Sequence, residues 1–425
     1  MTKIAIFIPG MNLSRKYEQT IDGHAQRLAN ALEQIRPSGH RYTVKITKEK
    51  LKEDHTEDQM VAVAEIIERQ NGMADVTLYR IYEFLYSDLI AERFRERAPM
   101  ARAWEVFLIM AKRILGVTPF WGPMFRAKVG LSSKDKWQVA IYTITFLLVG
   151  FYILSIFPAF LSLLINSISL AGVDTDSPDG KYTNEIVQRI AHFVRSHLVW
   201  LRLNWIPVLA FTGAVYAFFP KLKESLTYLA INALSLENYF MYGEQRAAVS
   251  GKFDNLLNDI LEREGSQEIE VHTFSFGGIL ALDALYPYEN PASPLVARHI
   301  VQLITIAVPY DYIRVYYPHY FKERKSAKLA LRKWYNVYSD VDVLSSNFRN
   351  DPKEEPGTQL IVPESVAPHN LRYNTIYPTA LSWADWITLI GFRAHNMFWD
   401  GRYPFAHSCY QRLWQIIDEE EMKKV

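Results

Sequence analysis

The chain has 425 residues and a formal net charge of +1, from 47 Lys and Arg against 46 Asp and Glu. This length holds one large or two medium domains, and the balanced charge argues against nucleic acid as a partner. The single cysteine, Cys409, excludes an internal disulfide and is typical of a reducing compartment. The first residues lead directly into an apolar run, so we expect no secretory signal.

The first ninety residues alternate between strand-like and helix-like patterns. Strands are predicted at 4–8, 41–47 and 76–84, and helices at 20–35 and 56–69. Such alternation predicts an α/β fold, in which a mostly parallel, doubly wound sheet is covered by helices on both faces.

Residues 93–136 differ in composition from the residues before them, with ten Lys or Arg, three acidic residues and several interleaved Trp and Phe. This mixture is typical of a segment that lies on an anionic membrane surface. A solvated basic face on an ordinary domain helix is the alternative.

Two long runs without charge follow, at residues 137–173 (37 residues) and 203–220 (18 residues). A helix needs about 20 apolar residues to cross a bilayer, so a transmembrane hairpin is predicted within 137–223. Pro158 divides the first run, which could instead form a re-entrant pair. A lid hairpin buried in protein is a further alternative.

Residues 224–425 return to the α/β pattern. Helices are predicted within 224–264 and 406–421, and strands at 269–273, 299–306 and 334–338. The first of these strands runs directly into an apolar helical pattern, so the residues between them form a strand-to-helix turn.

Ser275 lies at that turn, in the stretch Thr273-Phe-Ser-Phe-Gly-Gly278. A serine flanked at two residues' distance by small residues is typical of a nucleophile elbow, because neighbouring Cβ atoms would clash in so tight a turn. The turn also places the hydroxyl at a helix N-terminus, where developing negative charge is stabilised. An ordinary buried turn is the alternative.

An acidic residue and a histidine, which follow Ser275 in the chain, would complete a catalytic triad. Asp340 and Asp342 follow a predicted strand, and His395 lies in a late loop. A neutral serine hydroxyl needs a base, which His395 would supply, and a carboxylate would orient that histidine. Either Asp342 or Asp340 is the candidate acid, and Asp340 also suits a turn.

With these motifs the chain resembles the α/β-hydrolase superfamily of serine esterases and lipases, over residues 1–92 and 224–425. The resemblance implies that Ser275, Asp342 and His395 are catalytic. It also implies that the backbone N–H groups of Phe276 and Met11 form the oxyanion hole, with Gly10 allowing the first-strand loop to approach closely. The chain has Pro9-Gly10 where the family usually has His-Gly, and Thr273 where it usually has glycine.

The function expected from the sequence is a membrane-anchored serine hydrolase that cleaves a lipid or other acyl ester. Thioesterase, peptidase or acyltransferase chemistry uses the same triad and stays open. A catalytically silent, membrane-tethered binding module and a small transporter are the alternatives from other classes. No metal or organic cofactor is expected.

The lipid bilayer and an ester or lipid substrate are the expected partners. Lys and Arg are concentrated on the domain side of both uncharged runs, which predicts two spans with the catalytic domain in the cytoplasm. The pattern leaves the substrate's identity and the oligomeric state open.

Overall fold

The fold is described here from a computed structural model. It describes residues 2–11, 17–36, 40–50, 60–70, 74–95, 105–106, 108–109, 112, 231, 234–241, 243–265, 268–317, 319–324, 328–342, 344–348, 366–375, 394–395, 397–398 and 408–422. The predicted transmembrane runs at 137–173 and 203–220 lie outside these residues, as does most of the basic segment 93–136. Within the described residues, no helix has the length and apolar character needed to cross a bilayer.

An eight-stranded sheet forms the centre of the described structure. Its strands are β1 (Lys3–Ile8), β2 (His40–Lys50), β3 (Met60–Gln70), β4 (Val76–Glu83), β5 (Ile269–Phe274), β6 (Ile300–Ile306), β7 (Lys333–Tyr338) and β8 (His369–Arg372). The helices are α1 (Tyr17–Ile35), α2 (Ser87–Arg95), α3 (Gly243–Glu264), α4 (Phe276–Leu285), α5 (Pro294–His299), α6 (Tyr310–Tyr316) and α7 (Cys409–Met422). Residues 234–241 are also helical.

The strand order is β2-β3-β4-β1-β5-β6-β7-β8, and the six strands from β4 to β8 in this order are parallel. The predicted α/β class with a mostly parallel sheet is therefore confirmed. β1 lies between β4 and β5, so the N-terminal and C-terminal parts of the chain share one sheet. The carboxyl ends of the parallel strands consequently meet at one edge.

One part of the prediction is wrong, because residues 56–69 were expected to form a helix. Residues 60–70 form strand β3, which pairs antiparallel with both β2 and β4. The first half of β3 is buried on both faces, which hides the alternation that marks a half-exposed strand. A register shift between Ile66 and Ile67 also interrupts the alternation of inward and outward residues. The β-branched residues of this segment favour the strand.

Helices cover the sheet on both faces. α1 and α7 pack together on one face over an apolar core that includes Ala5, Phe7, Leu28 and Leu413. α4 packs against β1 and β5, and α3 packs against α4. Burial on both faces explains why β1 is a nearly continuous apolar run.

The chain divides into two compact units. The unit that holds the sheet includes the described residues up to Arg95 and those from Ser235 onward, whereas the described residues between 105 and 234 belong to the other unit. The sequence boundaries at 92/93, 136/137 and 223/224 stay predictions.

Candidate active site

Ser275 occupies a strained turn between β5 and α4. Its backbone has φ 52° and ψ −123°, a region that non-glycine residues rarely adopt and that costs about 1–3 kcal/mol. The Ser275 N–H donates to Ile306 O (2.8 Å), and the Ser275 carbonyl accepts from Gly278 N (2.9 Å). These two hydrogen bonds hold the serine at the N-terminus of α4, next to the end of β6.

Close contacts leave no room for a side chain at the two glycines that follow Phe276. A Cβ on Gly277 would lie 2.2 Å from Ile8 O, so no side chain fits between α4 and the end of β1. A Cβ on Gly278 would lie 2.4 Å from Val308 Cγ2 and 3.2 Å from Thr273 Oγ1. Gly278 thus leaves space for the side chains of Val308 and Thr273.

His395 lies between Ser275 and Asp342. Its Nε2 is 2.7 Å from Ser275 Oγ, and its Nδ1 is 2.9 Å from Asp342 Oδ2. The His395 side chain is 13% exposed, whereas that of Asp342 is fully buried. The histidine ring also packs on Phe274, with ring centroids 5.3 Å apart. The structure therefore brings together the three side chains that the sequence singled out.

The two candidate acids lie in different surroundings. Asp342 Oδ1 accepts from the backbone N–H of Leu344 (2.9 Å), which leaves Oδ2 for His395. Asp340 instead accepts from Asn374 Nδ2 (2.8 Å), and its carboxylate lies 3.6 Å from Arg372 Nη1. The geometry thus favours Asp342 as the partner of the histidine and gives Asp340 a role in the loop.

Two asparagines that the sequence interpretation missed organise the loop that carries the acid. Asn374 Oδ1 accepts from Ser339 Oγ and from the Asp340 N–H, both at 2.9 Å. Asn336 is fully buried in β7, accepts from Thr305 Oγ1 (2.9 Å) and donates to Ser346 O (3.0 Å). The polar residue within the apolar pattern WYNVY would have allowed Asn336 to be singled out from the sequence. No comparable pattern singles out Asn374.

The residues expected to form the oxyanion hole flank the serine. A Cβ on Gly10 would lie 3.1 Å from Ser275 Cβ and 3.0 Å from Phe274 Cδ1, so the first-strand loop passes directly beside Ser275. Met11 follows Gly10, and Phe276 is the first residue of α4. The role of their N–H groups as oxyanion donors stays a prediction.

A second histidine–carboxylate cluster lies in the core between the sheet and α1. His272 Nε2 is 3.1 Å from Glu270 Oε2, and His272 Nδ1 is 3.2 Å from His24 Nε2. The hydroxyl of Tyr410 lies 2.6 Å from His24 Nδ1. Burial, followed by the neighbouring His272, lowers the pKa of His24 well below its ordinary value of 6.5.

A buried carboxyl group, Glu83, lies at the carboxyl end of β4 and has no histidine partner. Its Oε1 accepts from Thr20 Oγ1, while its Oε2 has no hydrogen-bond partner in the described structure. Burial raises the pKa of Glu83 from 4.5 to about 8, so this carboxyl group is protonated at neutral pH. Among the described residues, no cluster of three or more His, Cys, Asp or Glu could hold a metal ion.

Comparison with protein-family models, with curated protein sequences and with solved structures finds no match to this chain.

Proposed function

We propose that the chain is a serine hydrolase of the α/β-hydrolase type that cleaves an ester bond through an acyl-enzyme. The observation that carries the proposal is the hydrogen-bonded series Ser275–His395–Asp342, which begins at a serine held in a strained strand-to-helix turn. Strain of this kind is concentrated at functional sites, and a nucleophile, a base and an orienting acid within hydrogen-bond reach are what acyl transfer needs.

In the proposed reaction, His395 Nε2 takes the proton of Ser275 Oγ as this oxygen attacks the ester carbonyl. Asp342 accepts from His395 Nδ1–H, fixes the tautomer and stabilises the imidazolium that forms. The backbone N–H groups of Phe276 and Met11 stabilise the tetrahedral oxyanion. His395 then gives its proton to the leaving alcohol, and water hydrolyses the acyl-enzyme by the same steps.

The preference for a lipid or other hydrophobic acyl ester rests on the sequence of the inserted segment. The uncharged runs 137–173 and 203–220, preceded by the basic and aromatic segment 93–136, support attachment to a bilayer. A hydrolase tethered in this way meets substrates that partition into the membrane. We place its catalytic domain on the cytoplasmic side, in keeping with the positive flanks of both runs.

Labelling with a fluorophosphonate probe tests the catalytic proposal. The wild-type chain should be labelled, Ser275→Ala should not, and Ser293→Ala should be labelled like the wild type. Ser293 is a suitable control because its hydroxyl caps α5 and contacts Asp254 instead of a histidine. Labelling that survives in Ser275→Ala would contradict the proposal. No labelling and no turnover of any ester by the wild type would favour the silent binding module.

Cysteine accessibility tests the membrane arrangement. In a Cys409→Ser background, Asp179→Cys should react with an impermeant thiol reagent on intact cells, and Lys353→Cys should not. The reverse pattern would overturn the orientation. Reaction at neither position would favour a re-entrant first run.

A further inference from the structure

Tyr86 lies beside both backbone segments that carry the predicted oxyanion donors. It follows β4, and only 1% of its surface is exposed. Its hydroxyl donates to Pro9 O at 2.9 Å, and its ring centroid is 5.9 Å from that of Phe276. One side chain therefore contacts the first-strand loop and the residue that follows the nucleophile.

The carbonyl of Pro9 accepts one hydrogen bond and lies close to Gly277 of α4. Tyr86 donates to it, and a Cβ on Gly277 would lie 2.7 Å from the same oxygen. A peptide unit is planar, so fixing the Pro9 carbonyl also fixes the direction of the Gly10 N–H. The orientation of the next peptide, which carries the Met11 N–H, then depends on two backbone dihedrals of Gly10, the residue type least able to fix them itself.

The ring of Tyr86 restrains the other side of the site. Phe276 is buried, and Tyr86 packs against it together with Tyr239 and Phe240, at centroid distances of 5.4 to 5.9 Å. These contacts limit the movement of the first residue of α4. Tyr86 is the member of this group that also hydrogen-bonds to Pro9.

We infer that Tyr86 is a positioning residue of the oxyanion hole, which holds the Pro9–Met11 loop at a fixed distance from the N-terminus of α4. The inference rests on the proposed function. Removal of the Tyr86 hydroxyl frees the Pro9 peptide and misaligns the Met11 N–H without removing it. Loss of a whole oxyanion donor costs about 10²–10³ in kcat, so Tyr86→Phe should cost about 10-fold or more.

Tyr82→Phe is the matched control. Tyr82 is also 1% exposed, and its hydroxyl donates to Glu264 at the end of α3 instead of to the first-strand loop. Both substitutions remove one partly buried phenolic hydrogen bond of a residue near the end of β4. A purely structural role would therefore make the two variants alike.

The test measures hydrolysis of a short p-nitrophenyl ester and inhibition by a trifluoromethyl ketone, which forms a tetrahedral oxyanion adduct with serine. In Tyr86→Phe, kcat and the affinity for the ketone should fall by the same factor, while KM and the pH profile of kcat/KM stay unchanged. Tyr82→Phe should retain wild-type kcat and ketone affinity. Thermal unfolding of each variant reports its stability separately.

Equal kcat and equal ketone affinity in the two variants would overturn the assignment of Tyr86, as would a Tyr86→Phe variant that changes only its unfolding temperature. Both outcomes leave the proposed function intact, because the wild type is active in them. A wild type that neither hydrolyses the ester nor binds the ketone would instead overturn the proposed function, and the role of Tyr86 with it.

Discussion

Two histidine–carboxylate pairs in this chain have nearly the same geometry and very different surroundings. His395 lies 2.9 Å from Asp342, and His272 lies 3.1 Å from Glu270. In the first pair the other ring nitrogen faces the hydroxyl of Ser275, whereas in the second it faces the imidazole of His24. The first histidine is 13% exposed, and the second is fully buried.

We expect the surroundings of a histidine–carboxylate pair, and not the pair alone, to decide whether it forms a site. The core pair is enclosed between the sheet and α1, with Trp414 packed against His272 and Phe7 stacked on His24. The proposed catalytic pair lies at the carboxyl edge of the sheet, beside Ser275 with its strained backbone. We therefore expect catalysis to depend on the group that the second ring nitrogen contacts and on the exposure of the histidine to solvent.

The largest effect should come from breaking the proposed catalytic series. Ser275→Ala and His395→Ala should each lower kcat by about 10⁶, and the double variant should lose little more, because the residues act as a unit. Steady-state ester hydrolysis measures these losses. Losses that multiply in the double variant would mean that the two side chains act independently.

The next largest effect should separate the neighbouring aspartates. Asp342→Asn should lower kcat by about 10⁴, since the amide favours the wrong histidine tautomer. Asp340→Asn should affect kcat far less, because Asp340 contacts Asn374 and Arg372. The opposite ranking would transfer the role of the acid to Asp340.

Glu83 extends the comparison to a buried carboxyl group that has no histidine partner among the described residues. Its pKa is raised to about 8, so the folded chain keeps a proton that the unfolded chain releases above 4.5. The free energy of unfolding should fall as the pH rises from 4.5 to 8, and Glu83→Gln should be more stable than the wild type at pH 7 by about 1–3 kcal/mol.

Urea unfolding at pH 4.5 and pH 7 measures this effect, which should nearly vanish at the lower pH. Glu68→Gln is the control with the opposite sign. Tyr42, His40 and Arg36 surround that carboxylate, and its pKa is lowered. A Glu83→Gln variant less stable than the wild type at pH 7 would show that the group is ionised in the fold.

The smallest expected effect concerns the core cluster at acid pH. The pKa of His24 is lowered, so below about pH 6.5 the unfolded chain binds a proton that the folded chain does not. Stability should fall with decreasing pH by up to about 1.4 kcal/mol per pH unit from this residue. His24→Gln should remove that part of the slope in urea unfolding between pH 5 and 7.

Features of the site that neighbouring residues form could be predicted from the sequence pattern, whereas contacts between residues far apart in the chain could not. The turn at Ser275 is encoded within a few residues, because two glycines and an apolar helix pattern follow a strand. The contact between Asp342 and His395 could be predicted only from the order of catalytic motifs in the family that the chain resembles. Asn374 and Tyr86 act through contacts that depend on the finished sheet, so no pattern of spacing reveals them.

The wrong helix at 56–69 has a related cause. Strand β3 pairs with β2 over its whole length and with β4 over most of it. Neighbours on both edges and apolar residues on both faces remove the polar alternation from its first half. Its sequence satisfies a helical period by coincidence, and only the pairing partners decide between the two structures.

The central place of β1 has a consequence for biosynthesis. β1 is made long before its neighbour β5, which begins only at Ile269. At ~5–20 residues per second, a ribosome needs roughly 10–40 s to make residues 84–268. The apolar edge of β1 stays unpaired during that interval, which is a hazard for aggregation. We expect the nascent chain to depend on chaperones until β5 emerges and closes the middle of the sheet.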